Sequence, residues 1–282
     1  MDNTIVVGVT GADVTSRALD WAVQRAVARG QRLELLSVVG GALGAVGEIA
    51  VVEDALAATS AMLEPLAGAV RAQAPTLEVT TRVDAGNPVA VLIEASRKAS
   101  LLVIGSDYRG PGAGPARGAH GVRIAAGAHC PVVVVPAIDL SDRSGVVVGV
   151  DGSPTSENAV RFAAAEADRL GERLVAVSVW TPLEAPRNGA AVYPALYLDN
   201  LQRGTEEELA LALAGISTDY PDLVVERVVE RGYPSQVINA RAQNARLAVV
   251  GTHGRGALAR FLLGSISQEV LASLATVTAV VR

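Results

Sequence analysis

Short apolar runs recur along the chain with longer segments of helical period between them. In the first half these runs are Ile5-Val6-Val7-Gly8-Val9, Leu35-Leu36-Ser37-Val38, Leu102-Val103-Ile104-Gly105 and Val132-Val133-Val134-Val135. They are rich in β-branched residues and unbroken by charge, the pattern of strands buried on both faces of a sheet. In the second half the same reading predicts strands near 145–150, 173–179, 223–229, 247–251 and 277–281, with helices in the gaps. Strand and helix alternate throughout, which predicts βαβ units and a parallel sheet. Ser153-Pro154 reads as a helix start, with serine as N-cap and proline at the first helical position. Ser265-Ile266-Ser267-Gln268 has the spacing of a capping box and predicts a helix running to about Ser273.

The two halves repeat each other. Val6-Val7-Gly8-Val9-Thr10-Gly11 returns as Val147-Val148-Gly149-Val150-Asp151-Gly152, an offset of 141. Further along the offset is 146: Gly86-Asn87-Pro88 matches Gly232-Tyr233-Pro234, and Leu102 to Gly105 matches Ala248 to Gly251. The change of offset predicts a loop insertion around Thr181 to Pro194. A period this long means two domains rather than a solenoid. The polar stretch Ile138 to Ser144 is the expected join, giving domains 1–140 and 141–282. The predicted fold class is therefore α/β: two tandem open five-stranded parallel sheets with helices on both faces. The last strand of each, Val132 to Val135 and Thr278 to Val281, is expected at a sheet edge, which invites pairing.

Composition narrows the function classes. Apolar residues make up 50% of the 282 and aromatics 3%, so the cores must be aliphatic. The mean hydropathy is +0.34, yet stretches such as Pro131 to Pro136 fall far short of the ~20 apolar residues of a spanning helix. No membrane role is expected. No basic region precedes Ile5 to Val9, so the expected location is cytoplasmic. A net charge of −5 without a basic run argues against nucleic acid as partner. Cys130 is expected to be a buried structural thiol, and the three histidines have no zinc-ligand spacing.

The chemistry lies where the fourth strand of the second copy ends. Gly251-Thr252-His253-Gly254 follows Leu247 to Val250, and Gly264-Ser265 comes after nine intervening residues at a predicted helix start. Glycines let backbone N–H groups approach an anion, and a helix N-terminus adds free donors and a favourable dipole. Arg255 adds a cation. His253 is read as shaping the loop, and His120 and His129 as solvated or helix-terminal. A Walker loop is excluded because Lys98, the only lysine, follows no glycine. A dinucleotide fingerprint is excluded because the glycine clusters follow the fourth strand of each half, not the first.

With this spacing, the repeat and the Val-Gly-Val-Asp-Gly-Ser start, the chain resembles the universal stress protein family in its tandem two-domain, Rossmann-like form. The resemblance implies that ATP binds at Gly251, Gly254, Gly264 and Ser265, with Arg255, Ile266 and Ser267 adjoining, and any metal there would be Mg²⁺ travelling with the nucleotide. It places Asp151 near the ribose and Val179 near the adenine. The first copy keeps Val38, Gly105, Arg109 and Gly118 as counterparts, but has Thr10, Tyr108 and Ala119 where the second has Asp151, Gly254 and Ser265. Its site is expected to be weak. The implied function is a nucleotide-dependent stress-response regulator, with pairing of the two domains in the chain and a homodimer as expected associations. No catalytic residue is assigned. The alternatives are a slow ATPase or nucleotidyl-transfer enzyme, and a nucleotide-free dimeric scaffold.

Overall fold

The apolar runs of the first half become strands β1 (Thr4–Val9), β2 (Arg32–Val39), β3 (Val79–Ala85), β4 (Leu101–Ser106) and β5 (Val132–Pro136). Between them lie helices α1 (Val14–Arg29), α2 (Ile49–Gln73), α3 (Pro88–Ala95) and α4 (His120–Gly127). This is a computed structural model of the chain, and it describes residues 3–10, 14–40, 49–108, 120–182, 194–254 and 263–282. The chain divides into two units, Met1–Ile138 and Asp139–Arg282.

In the first unit the strand order is β3-β2-β1-β4-β5. The pairings are parallel, with Val7 opposite Leu35 and Val103, and Leu102 opposite Val132. Strands run left of β1 and then right of β4, so right-handed crossovers put α1 and α2 on one face and α3 and α4 on the other. Ile5, Val7, Leu33, Leu35, Leu101 and Val103 are essentially inaccessible. A sheet covered on both faces needs such apolar strands.

The second unit repeats this plan with β6 (Val146–Gly149), α5 (Pro154–Leu170), β7 (Leu174–Trp180), α6 (Ala195–Ala212), a single helical turn α7 (Ile216–Asp219), β8 (Val225–Arg231), α8 (Pro234–Ala242), β9 (Leu247–Gly251), α9 (Ser265–Ser273) and β10 (Val277–Val281). Its order is β8-β7-β6-β9-β10, parallel throughout. Within each unit the last strand, β5 or β10, ends the row beyond the fourth strand. Cys130 is buried. Among the described residues no helix is long and apolar enough to cross a membrane.

Local chemistry explains the boundaries. Ser153 caps α5 through its side chain, which accepts from Ser156 N, and Gly171 closes the helix in the left-handed region at φ 64°. Gly149, the last residue of β6, leaves room for α8: a Cβ there would come within 2.7 Å of Ile238 Cδ1. Strand β8 extends past the expected 223–229 to include Glu230 and Arg231. It ends its sheet, so these charges reach solvent without leaving the ladder. The capping box at Ser265 does not form. Gly264 occupies the N-cap without a side-chain cap, its carbonyl accepts from Gln268 N at 2.9 Å, and Ser265 is the first helical residue. The predicted insertion around Thr181 to Pro194 falls largely on 183–193, outside the described residues.

Candidate functional site

In an open parallel sheet the crevice for ligands opens where the strand order reverses, beyond the carboxyl ends of the strands. In the second unit that point lies between β6 and β9, and a pocket of about 460 Å³ sits there. The end of β6 contributes Gly149 to Asp151, β7 contributes Val177 and Val179, and β9 with its following loop contributes Val250, Gly251, His253 and Gly254. The helix starts supply Ser156, Pro234, Ile238 and the stretch Gly264 to Ser267.

One wall is acidic. Asp151 uses Oδ1 to accept from Ser153 N at 3.0 Å and Ser153 Oγ at 2.6 Å, an Asx turn that fixes the carboxylate. Its Oδ2 lies 2.5 Å from where a Cβ on Gly254 would stand, so only glycine at 254 accommodates this rotamer. A second wall is a donor surface. The first intrahelical bond of α9 comes from Gln268, so the N–H groups of Ser265, Ile266 and Ser267 precede the ladder and have no intrahelical acceptor. Gly264 N donates to Thr252 O at 2.8 Å, Thr252 N to Val281 O at 2.8 Å, and Ser267 Oγ to Gly251 O at 2.6 Å. The first and third of these bonds tie the end of β9 and its loop to the helix start, and the second ties the loop to the end of β10. Gly251 serves close packing: a Cβ there would be 3.1 Å from Thr155 Cγ2 and 3.3 Å from the Thr155 backbone.

His253 faces both loop and pocket. Its Nδ1 lies 3.1 Å from Thr252 Oγ1, while Nε2 is buried with no hydrogen-bond partner among the described residues. Loss of water around the ring, and secondarily the positive charge of Arg282, hold its pKa below the ordinary 6.5. A neutral imidazole follows near pH 7.

Asp151, Val179, Gly251, Gly254, Gly264, Ser265, Ile266 and Ser267 thus line one pocket. Arg255 lies outside the described residues. In the first unit Val38 and Gly105 line a smaller pocket of about 170 Å³ at the matching place, and Arg109, Gly118 and Ala119 lie outside the described residues. His120, at the start of α4, and His129 are exposed. Ser156, Val177 and Ile238 were not singled out by the sequence. Their residue types are ordinary for buried faces, and only the crossing of α5 and α8 over the sheet brings them to the pocket. Pro234 had a signal, since the Gly-x-Pro step that precedes it recurs in both copies.

Comparison with known proteins gives one answer. A sequence model of the universal stress protein family matches residues 1–136 and 144–282. A universal stress protein of Mycobacterium tuberculosis is 35% identical over 295 residues, covering 95% of this chain and 92% of that protein. Another from the same organism is 37% identical over 199 residues, covering 69% of this chain and 66% of the relative, slightly under two thirds of its length. A crystal structure of a universal stress protein from Archaeoglobus fulgidus shares the fold, with a TM-score of 0.69 at 18% identity over 100% of this chain and 97% of its own. A further universal stress protein, solved in complex with cAMP, matches 50% of this chain and 98% of its own at 24% identity and a TM-score of 0.34. Matched in both halves, with two relatives at 35% and 37% identity, the chain belongs to the universal stress protein family.

Proposed function

We propose that this chain is a cytoplasmic stress-response regulator that binds ATP in the pocket of its second unit, and that nucleotide occupancy tunes its conformation or choice of partner. The observation that carries the reading is the pairing of Asp151 Oδ2 on one wall with the first-turn N–H groups of α9 on another. A carboxylate oxygen accepts from ribose hydroxyls, and helix-start donors take phosphate oxygens. Val177, Val179, Pro234 and Ile238 offer apolar surface for the base. The pocket's 460 Å³ falls within the ~300–1,000 Å³ usual for small-molecule sites. Mg²⁺ would enter on the phosphates, keeping most of its waters.

Binding rather than rapid turnover is the reading. Asp151 is the sole carboxylate among the described lining residues, and its Oδ1 is already held by Ser153. We further assign residues 141–282 as the domain with the complete nucleotide motif and 1–140 as the domain with the degenerate one. Charge-assisted hydrogen bonds contribute ~1.5–3 kcal/mol each, so losing two of them weakens nucleotide binding about a hundredfold or more.

The test is direct. Heat-denatured purified protein should release an adenine nucleotide, and stripped protein should bind ATP in calorimetry. Absence of both would overturn the reading, and hydrolysis faster than about one per second would make the protein an enzyme instead.

A further inference from the structure

The pocket of the first unit is more than a damaged copy of the second. It has a volume of about 170 Å³ against about 460 Å³, and its described walls carry two larger side chains. Leu36 stands where the second copy has Val177, and Ile104 where it has Val250, each adding a methylene to a buried position that lines the pocket. Asp, Glu, Lys and Arg are all missing from its described lining, whose one ionisable side chain is that of His120, exposed at the start of α4. Thr10, in the place of Asp151, turns to its neighbour instead. Its N–H donates to Thr15 Oγ1 at 3.0 Å, Thr15 Oγ1 donates back to Thr10 O at 2.7 Å, and the two hydroxyl oxygens lie 3.3 Å apart. These polar groups are satisfied within the protein, and Val38, Leu92 and Ile124 add apolar wall.

Such a space selects by size and by charge. An apolar cavity of ~150 Å³ is enough to hold benzene, whereas drug-sized ligands need ~300 Å³ or more. A phosphate brought here would meet the start of α4 at His120 and Gly121 but no lysine or arginine among the described walls.

We propose that the first unit's pocket binds a small, uncharged, mainly apolar molecule about the size of one aromatic ring system, and that nucleotides are not its ligands. The proposal does not depend on ATP binding in the second unit. Indole and ADP are the probes, titrated separately into full-length protein labelled at Ile, Leu and Val methyl groups. Indole should shift the methyl resonances of Val38, Leu92 and Ile124 saturably, and ADP should leave them in place. Val38→Trp, which fills the pocket, should weaken indole binding about tenfold or more, with unchanged second-unit resonances reporting an intact fold. Should that variant unfold, the widened Leu36→Val/Ile104→Val protein provides the readout, with an indole affinity changed about threefold or more. The proposal is overturned if indole gives no saturable shift, if ADP moves the same methyl groups at equal concentration, or if the folded variants bind indole as the parent does.

Discussion

Asp151 divides its two oxygens between two roles. Oδ1 holds the turn at Ser153, and Oδ2 faces the pocket beside Gly254. Asp151→Asn should keep Oδ1 as an acceptor and so retain a thermal midpoint close to wild type. It replaces the second acceptor with a donor, and ATP affinity should fall about ten- to a hundredfold by calorimetry. Gly254→Ala places a Cβ 2.5 Å from the present position of Asp151 Oδ2, displacing that oxygen, and should cost a similar factor. Because both changes act on one carboxylate, the double variant Gly254→Ala/Asp151→Ala should bind no more weakly than the worse single one. The same coupling makes sense of the first copy, where Thr10 and Tyr108 replace these two residues together. His253 yields a pH dependence. Its folded pKa lies below 6.5, so the unfolded chain takes up the proton first as pH falls. Its stabilising contribution is complete above pH ~6.5 and is lost as pH falls through the depressed folded value. Denaturant unfolding across pH 5 to 8 should show a shallower slope in His253→Gln; an unchanged slope would remove His253 as the cause.

Helix starts carry much of the site, and they differ in how plainly the sequence announces them. Ser153-Pro154 is legible because the cap is local: one side chain bonds an N–H three residues on, whatever the rest of the fold does. Ser153→Ala should therefore cost about 1–2 kcal/mol in chemical unfolding. The start of α9 is not legible in this way. Which residue becomes N-cap there depends on Gly264 being drawn to Thr252 O, a contact with a loop twelve residues earlier. The glycine spacing was readable because periodic glycines stand out in sequence, whereas the apolar walls at Val177 and Ile238 look like any core. The link between α8 and α9 was equally hidden. Glu269 accepts from Tyr233 Oη at 3.0 Å and Ser235 Oγ at 2.6 Å, joining the helix that bears Pro234 and Ile238 to the one that presents the pocket's N–H groups. Glu269 also raises the Tyr233 pKa, first by accepting its hydrogen bond and then by its charge. Losing a hydrogen bond to a carboxylate should loosen the helix that depends on it, so Glu269→Ala should speed amide exchange in α9 about tenfold. Unchanged exchange there would show that packing alone holds the helix.

Duplication lets the molecule serve as its own control, because the two pockets lie at matching places on two copies of one strand order. The β6/β9 crevice keeps a carboxylate, a glycine beside it and room for a nucleotide. The β1/β4 crevice has lost the carboxylate, carries Tyr108 in place of the glycine, and is narrowed by Leu36 and Ile104. These are separate obstacles, and removing one leaves the others standing. ATP should accordingly bind with a stoichiometry of one per chain. Thr10→Asp alone should leave it at one, because Tyr108 stands where the second copy has the glycine beside its carboxylate, and Leu36 and Ile104 still narrow the pocket. Combining Thr10→Asp with Tyr108→Gly, Leu36→Val and Ile104→Val removes all four obstacles and should raise the count toward two in native mass spectrometry. A second nucleotide on the wild-type chain, or on the Thr10→Asp variant, would mean that the first unit recognises nucleotides through groups other than these walls.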